Sequence, residues 1–528
     1  LSPLGGLPGR RFCCWPSDLA GLRRHPVVGC RLAMADVAVV GAGPVGLWLA
    51  AELRLAGAGA LILEQAERRS PHSRGLWIHA RTLEILDMRG MADVHVSEGR
   101  AVPSGHFALM SARLDMSVLD SRFPFQLALP QVRTEELFAE RAAAMGAEIR
   151  LGHRVTGISQ DDAGVVVTVE GPGGSYAERA RFVVGCDGAR SIVRQAAGIG
   201  FDGRGTTRTA MLGDVELSEP PAGGTLSVHG PAGSLLVVPL PGGRFRLVAK
   251  DVGRLHVPRS SPVTLQELRD SARRIIGTDL GARDPSWLAR AGNAARLASG
   301  YRRGRVFLAG DAAHIHPPQG GQGLNLGVGD AMNLGWKLAA AVAGTAPGWL
   351  LDSYQRERRP VGAAVIQASC AQEELASAAT PDQFAVKDLI AGILTGYREV
   401  NRALADQVSG LAVAYPPEHG SHPAAGRRAP DFALAGRTGP ARLSELVRDG
   451  RFALLTRPGT PPPDPAAHAS LTRATVQSDP AQWGSAGTAL VRPDGYYAWL
   501  GDHTQAPAAC ARWAQKVSPA PPPPHRPR

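Results

Sequence analysis

Residues 36–64 limit the possible folds more than any other stretch. DVAVV (36–40) reads as a buried strand, and Gly41-Ala42-Gly43-Pro44-Val45-Gly46 follows it at once. An apolar helix then runs to about Ala56, and a second apolar strand, ALILE, ends at Glu64. Strand, GxGxxG, helix, strand and acid form the order of a dinucleotide-binding βαβ unit. Gly41 makes the turn, Gly43 lets a pyrophosphate approach the backbone, and Gly46 lets helix and strand pack. Glu64 is placed to bond a ribose hydroxyl pair, with Gln65 beside it. GxGxxG alone is weak; with these flanks it points to an ADP-containing cofactor.

A second stretch repeats that logic. In RVFLAGDAAHIHPPQGGQGLNLGVGDAMNLGWK (305–337), a short apolar strand stops at Gly310 and the carboxylate of Asp311 follows. Pro317 and Pro318 stiffen the loop, and Gly320, Gly321 and Gly323 let backbone approach a ligand. From Leu324 an apolar helix runs to about Ala341, its N-terminus offering free N–H groups and partial positive charge. One acid, a glycine cradle and a helix N-terminus suit a polyol attached to a ring that carries negative charge, as reduced flavin does. RFVVGCDGARSIVRQAAG (181–198) has the same form, with Asp187 at a turn into a helix near Ser191.

The rest of the chain supplies a frame. Residues 131–146 read as a helix capped by Thr134, with Glu135 and Glu136 in its first turn, Gly146 at its end, and Gln131 and Arg133 facing out of the preceding loop. Strands at about 148–159 and 164–170 alternate as in a hairpin. From 205 to about 290 alternating segments with a Pro-Gly-Gly turn predict an antiparallel layer over the ligand. Tyr354, Glu357, Arg358 and Pro360 open a helical stretch to about 408. Residues 415–430 read as a linker, and the final SPAPPPPHRPR as a disordered or polyproline tail.

At 528 residues, two or three domains are expected. Net charge is +11, yet only four lysines occur, and no basic run with interleaved aromatics appears, which argues against nucleic-acid binding. No run of eighteen apolar residues exists, so no membrane span is expected. Six cysteines without a CxxC fit a reducing cytoplasm. Arg10-Arg11 invites an export reading, but no apolar stretch follows. Residues 1–33 are expected to be a disordered extension, or translated sequence ahead of a start at Met34. His314 and His316 have no apparent third ligand nearby, so no metal is expected.

Together GxGxxG (41–46), GCDGARSIVR (185–194) and GDAAHIHPPQGGQGLN (310–325) resemble the single-component FAD-dependent aromatic hydroxylases, the class A flavoprotein monooxygenases. SRGLWIHARTLEIL (73–86), LPQVRTEEL (129–137) and YQRERRP (354–360) are similar to that family too. APDFAL (429–434) with VRPDGYYAW (491–499) resembles the thioredoxin-like appendage of the aromatic polyketide hydroxylases and rifampicin monooxygenases; without a CxxC it has no dithiol role.

The resemblance implies an α/β fold: a doubly wound Rossmann-type FAD domain (34–204 and 295–414, the latter with a helical region), an inserted antiparallel β substrate domain (205–294), a linker (415–430), a C-terminal thioredoxin-like domain (431–515) and a tail (516–528). It implies that NAD(P)H, more readily NADPH, reduces FAD, and that a flavin C4a-hydroperoxide then hydroxylates a polycyclic phenolic aromatic. The alternatives are a drug-inactivating monooxygenase acting on rifamycin- or tetracycline-like molecules, and a non-catalytic flavin-binding protein. A flavin halogenase would carry WxWxIP, which is absent. The implied cofactor residues are Gly41, Gly43, Pro44, Gly46, Glu64, Gln65, Arg74, Gln131, Arg133, Val155, Asp187, Gly310, Asp311, Pro318, Gly321, Gly323, Leu324 and Asn325. Arg74 would reach a phosphate, with Arg81 either a second such residue or an ion-paired surface arginine; Asp311 would reach the ribityl chain and Asn325 the ring. Pro318 would sit at the flavin face near the reacting carbon; no base is assigned. NAD(P)H would dock transiently along 187–194, and a homodimer is compatible with the family.

Overall fold

The computed structural model describes residues 34–72, 75–417, 420–436, 439, 441–461 and 471–513. The expectations for residues 1–33, for Arg74 and for the C-terminal tail lie outside the described residues.

Apolar strands bury on both faces and form the spine of an eight-stranded sheet. Its parallel core runs, in spatial order, Val306–Leu308, Gly174–Gly185, Ala35–Val40, Ala60–Glu64 and Glu148–Leu151. Val39 lies opposite Val184 on one side and Ile62 on the other. Helices Pro44–Leu55 and Gly323–Val342 pack together, and Gly327 permits it: a methyl group there would lie 2.4 Å from Val45 Cγ2. The hairpin is Arg154–Gln160 with Val165–Gly171, whereas Glu148–Leu151 is a separate strand parallel to Ala60–Glu64. The break falls at Gly152, whose φ of +73° turns the chain.

Helix Gln131–Ala144 starts four residues earlier than the Thr134 cap predicts. Pro130 pre-sets φ at −53° and its carbonyl accepts from the N–H groups of Arg133 and Thr134. Gln131 and Arg133 therefore sit in the helix, and Thr134 is buried with its hydroxyl unpartnered.

Residues 209–292 form a five-stranded antiparallel layer ordered Leu226–Gly230, Gly233–Pro239, Phe245–Asp251, Thr209–Leu217, Ala282–Gly292. Helix Leu265–Ile276 covers one face, a helix that the strand reading of this region missed. Its signals were present: Thr264 caps Glu267 N, and Gly277 ends it in the left-handed region. Met211, Val215, Leu235, Val237, Leu247 and Ala249 pack beneath it. Strand periodicity turns Leu212, Leu236, Val238 and Val248 to the other face.

The long helical stretch is three helices, Leu350–Leu375, Pro381–Gly396 and Arg398–Ser409. Thr380 and Gln383 form a capping box that restarts the second. The C-terminal sheet runs Thr472–Thr475, Ala453–Thr456, Thr488–Val491, Tyr497–Gly501, its first pair parallel and the others antiparallel. No helix among the described residues is long and apolar enough to cross a membrane.

Candidate functional site

Three motifs far apart in sequence meet at the carboxyl ends of the central strands, where a doubly wound sheet places its ligands. Val40 lies opposite Gly185, and Gly185 opposite Leu308, so Gly41, Cys186-Asp187 and Gly310-Asp311 leave the sheet side by side. A methyl group at Gly41 would lie 2.5 Å from the Cys186 carbonyl oxygen, and one at Gly310 2.9 Å from Val45 Cγ2. Glu64 is drawn into the turn: Ala42 N–H donates to Oε2 at 2.8 Å and Ala66 N–H to Oε1 at 2.9 Å.

Among the described residues, helix Pro44–Leu55 has no side-chain cap, and nothing lies within 4 Å of where a methyl group on Gly43 would project. Uncapped N–H groups, a positive helix end and open space over Gly43 fit a pyrophosphate. Helix Gly323–Val342 also lacks a side-chain cap. Asp311 is exposed and makes no hydrogen bond or ion pair, so it is neither a helix cap nor an ion-pair partner among the described residues. Its loop is held from behind by Asp330, fully buried, which accepts from Gly310 N–H (3.1 Å), His314 Nε2 (2.6 Å) and Arg358 Nε (2.7 Å). Burial opposes ionisation of Asp330, but Arg358 and His314 hold its carboxyl below the usual range.

Several implied cofactor residues are occupied elsewhere. Asn325 accepts from His79 N–H and donates to the Trp77 and Gly321 carbonyls, which ties its amide to the protein backbone. Arg133 pairs with Glu98, Glu136 and Glu140. Gln131 donates to Glu135, and its helix start is joined to Gly75. Val155 is a buried residue of the main core. Asp187 accepts from Ile192 and Val193 N–H at the start of helix Ile192–Ala196, whose N-cap is Ser191; its Oδ1 is buried and without a partner among the described residues. Arg81 pairs with Glu84, bonds the Asp494 carbonyl and stacks on Tyr496. Gln65 and Pro318 are exposed; Gly321, Gly323 and Leu324 are half-buried where helix Gly323–Val342 begins. His316 bonds the Pro317 carbonyl.

Sequence reasoning did not single out His79. It precedes helix Ala80–Asp87 and its Nε2 donates to the Gly320 carbonyl at 2.8 Å, clasping the glycine loop. Its Nδ1 is buried without a partner, and burial pushes its pKa down to about 4. The folded state thus binds fewer protons than the unfolded state between pH 6.5 and 4, so stability falls as pH falls through that window. We expect His79→Asn to show a smaller loss of melting temperature across that window than the unsubstituted protein. An unchanged loss would remove His79 from the acid response.

The face of the β layer turned from helix Leu265–Ile276 meets this loop region. His229 bonds the Ala378 carbonyl beyond helix Leu350–Leu375, Lys250 pairs with Glu373 on that helix, and Glu373 also accepts from Gln319 at 2.7 Å. At the other end His72 stacks near Trp287. Leu212, Leu236, Val238 and Val248 lie between on the same face, with the buried Asp214–Arg246 pair next to Trp287. A separate cavity of ≈ 60 Å³, lined by Arg81, Asn325, Met332, Arg358 and Tyr415, has room for water but not for a polycycle.

Behind helix Gly323–Val342 lies a buried charge cluster. Arg492 of the C-terminal region donates to both Glu357 oxygens at 3.0 and 2.9 Å and also engages Asp494. Glu357 accepts from Lys337 (2.7 Å) and Asn333 (2.6 Å) as well. The C-terminal sheet is thereby bolted to the helix that opens at the glycine loop.

Comparison with known proteins agrees with this geometry. The "FAD binding domain" family matches residues 34–369, and "Aromatic-ring hydroxylase, C-terminal" matches 422–518. The chain is 43% identical over 479 residues to the 12-dehydrotetracycline 5-monooxygenase/anhydrotetracycline 6-monooxygenase of Streptomyces rimosus subsp. rimosus, covering 88% of this chain and 95% of that one. It is 41% identical to the rifampicin monooxygenase of Streptomyces venezuelae over 89% and 97% of the two chains. The solved structure of OxyS anhydrotetracycline hydroxylase from Streptomyces rimosus superposes with a TM-score of 0.83 at 40% identity, covering 90% and 98%. An uncapped nucleotide turn, a free acid at a strand end and a covering β layer are a flavoprotein hydroxylase's parts. The chain belongs to the FAD-dependent aromatic monooxygenases.

Proposed function

We propose that this enzyme hydroxylates a polycyclic, phenolic, polyketide-like aromatic, with NADPH as the transient reductant. The apolar residues Leu212, Leu236, Val238 and Val248 on one face of the β layer carry the reading: that face is strand-built and joined to the Pro318-Gln319 loop through Lys250 and Glu373, and it suits a fused-ring substrate. The relatives named for anhydrotetracycline and rifampicin support it and keep open a drug-inactivating role of the same chemistry.

FAD, when bound, supplies hydride acceptance and oxygen activation. The residues' proposed tasks follow from their chemistry. The turn of Gly41, Gly43 and Gly46 and the N–H groups behind Pro44 hold the pyrophosphate, and Glu64 the adenosine ribose. Asp311 bonds the ribityl chain. With FAD bound, the N-terminus of helix Gly323–Val342 would offer its positive end to negative charge on the flavin ring, and Pro318 would bound that ring. Asn325 keeps that helix start against His79 and Trp77. NADPH docks from the 187–194 side. The C-terminal sheet order supports a thioredoxin-like domain without redox chemistry, and we place the enzyme in the cytoplasm. A stripe of exposed Val386, Leu389, Ile393 and Tyr397 supports a homodimer.

The test is a panel of polycyclic phenols with NADPH and O₂, analysed by mass spectrometry. Gain of one oxygen, with NADPH oxidation that rises on adding substrate, is expected. Binding without oxidation would favour a flavin-binding protein that holds its ligand unchanged. A rearranged product of unchanged mass would instead align the chain with a 34% identical relative, the dialkyldecalin synthase of Streptomyces rugosporus.

Asp311→Ala leaves a ribityl hydroxyl unpaired and removes a charge-assisted bond, at a cost of about 1.5–3 kcal/mol of FAD affinity. That is a roughly tenfold to hundredfold weakening. Titration of the apoprotein with FAD, followed by thermal melting, measures it. Unaltered affinity in a folded variant would remove Asp311 from the site.

A further inference from the structure

Lysine is scarce here, four residues against 58 lysines and arginines together. The three among the described residues are withdrawn from the surface: Lys337 is fully buried, Lys387 is 4% exposed and the Lys250 side chain 11%. Lys337 is neutralised by Glu357 and Lys250 by Glu373. Lys387 pairs with no carboxylate among the described residues. Its Nζ donates to the Leu109 carbonyl at 3.2 Å and to His229 Nδ1. Asp388, next in sequence, acts on it at longer range, and Lys250 opposes that effect.

His229 completes a defined arrangement. Its Nε2 donates to the Ala378 carbonyl at 3.1 Å, which leaves Nδ1 as the acceptor for Lys387. Burial, then Lys387, push its pKa down to about 4, so the ring is neutral near pH 7. Burial lowers Lys387 to about 8, which leaves it mostly charged. The pair therefore carries one buried positive charge, two neutral acceptors and one unused ammonium hydrogen.

The location is on the face of the β layer turned from helix Leu265–Ile276. His229, Ser234 and Lys250 lie directly opposite one another across three neighbouring strands, so they share one face beside Leu236 and Val248. The same corner reaches the Pro318 loop through Lys250, Glu373 and Gln319.

We propose that Lys387, oriented by His229, is the subsite for an ionised oxygen of the substrate, a phenolate or enolate. This rests on the polycyclic-substrate reading and adds which end of the molecule is recognised, and how. The hydroxyl loses its proton to solvent before binding, so no proton moves in the site. The oxygen then accepts the third ammonium hydrogen and supplies the missing counter-charge. Ionisation makes ring carbons ortho and para to that oxygen electron-rich, and one of these is the carbon oxygenated. A lysine suits the corner better than an arginine because a compact point charge needs only one remaining acceptor.

The test compares alizarin with its dimethyl ether on the FAD-loaded enzyme at pH 7.5, with binding read from the change in flavin absorbance. Alizarin is expected to bind roughly ten- to a hundredfold more tightly. In Lys387→Met that preference collapses because alizarin weakens while the ether does not, and Lys387→Arg restores part of it. Equal affinities in the unsubstituted enzyme overturn the subsite and need no variant. A preference that persists in folded Lys387→Met overturns it as well. If either probe gains oxygen with equal affinities, the hydroxylase reading stands and the subsite alone falls. If no polycyclic phenol binds or is oxygenated, both fall.

Discussion

Replacing Arg492 with methionine should destabilise the protein by about 3–5 kcal/mol. Arg492 is 2% exposed and answers two buried carboxylates, Glu357 and Asp494. Its guanidinium also lies over the Trp336, Tyr415 and Trp513 rings. With Lys337 the cluster holds two positive and two negative groups, and it balances. Burial alone would raise the Glu357 pKa, yet Arg492 and Lys337 hold it well below the usual carboxylate range. Without Arg492, two carboxylates share one ammonium in a water-poor site, and one of them must take up a proton or leave. The C-terminal sheet is the part that gives way, since Arg492 and Asp494 lie in the turn joining its last two strands and Glu357 and Lys337 lie on the helices it packs against.

The double variant Arg492→Met/Asp494→Leu separates charge from packing. It leaves Glu357 with Lys337, a balanced pair, so it should recover a good part of the lost stability. Thermal and urea unfolding, with flavin fluorescence as the second probe, follow both. If the double variant is no better than the single one, the loss is stacking on the three aromatic rings and not charge imbalance.

How far the sequence could be read depends on whether a signal is local. GxGxxG, the acid at 64 and the strand–Gly–Asp pattern at 308–311 are local backbone requirements, and they appear where expected. The Thr134 cap failed because Pro130 supplies an earlier helix start through φ, and a proline competes with a capping hydroxyl without announcing it. Helix Leu265–Ile276 was masked by strand-like neighbours although its own cap and apolar spacing were legible. The role of Arg81 was out of reach, since its partner carbonyl lies at Asp494, more than four hundred residues away. The same holds for His79 with Gly320 and for Lys387 with His229: nothing local marks residues that meet only in the fold.

The glycine turn offers the sharpest test of the cradle, because two of its three glycines should fail differently. A methyl group at Gly46 would lie 2.1 Å from the Gly41 carbonyl oxygen, 3.2 Å from Val39 Cγ1 and 3.3 Å from Cys186 Cβ. That carbonyl belongs to a turn pinned by the Gly41 N–H bond to Leu63, so neither side can yield cheaply. Gly46→Ala must push helix Pro44–Leu55 away from the sheet. It should cost about 1–3 kcal/mol or more of apoprotein stability and carry the helix N–H groups off their target. Gly43→Ala is the opposite case. Its φ of −72° and ψ of 179° suit alanine, and a methyl group there meets nothing within 4 Å. Apoprotein stability should therefore hold, or rise slightly through the unfolded chain. The methyl group nevertheless projects where the pyrophosphate must approach, so FAD affinity should fall by roughly a hundredfold and the protein should purify nearly colourless. Melting of the apoproteins and FAD titration of each distinguish the two. Gly43→Ala protein that purifies yellow, with FAD affinity unchanged, would mean that no phosphate lies over this turn.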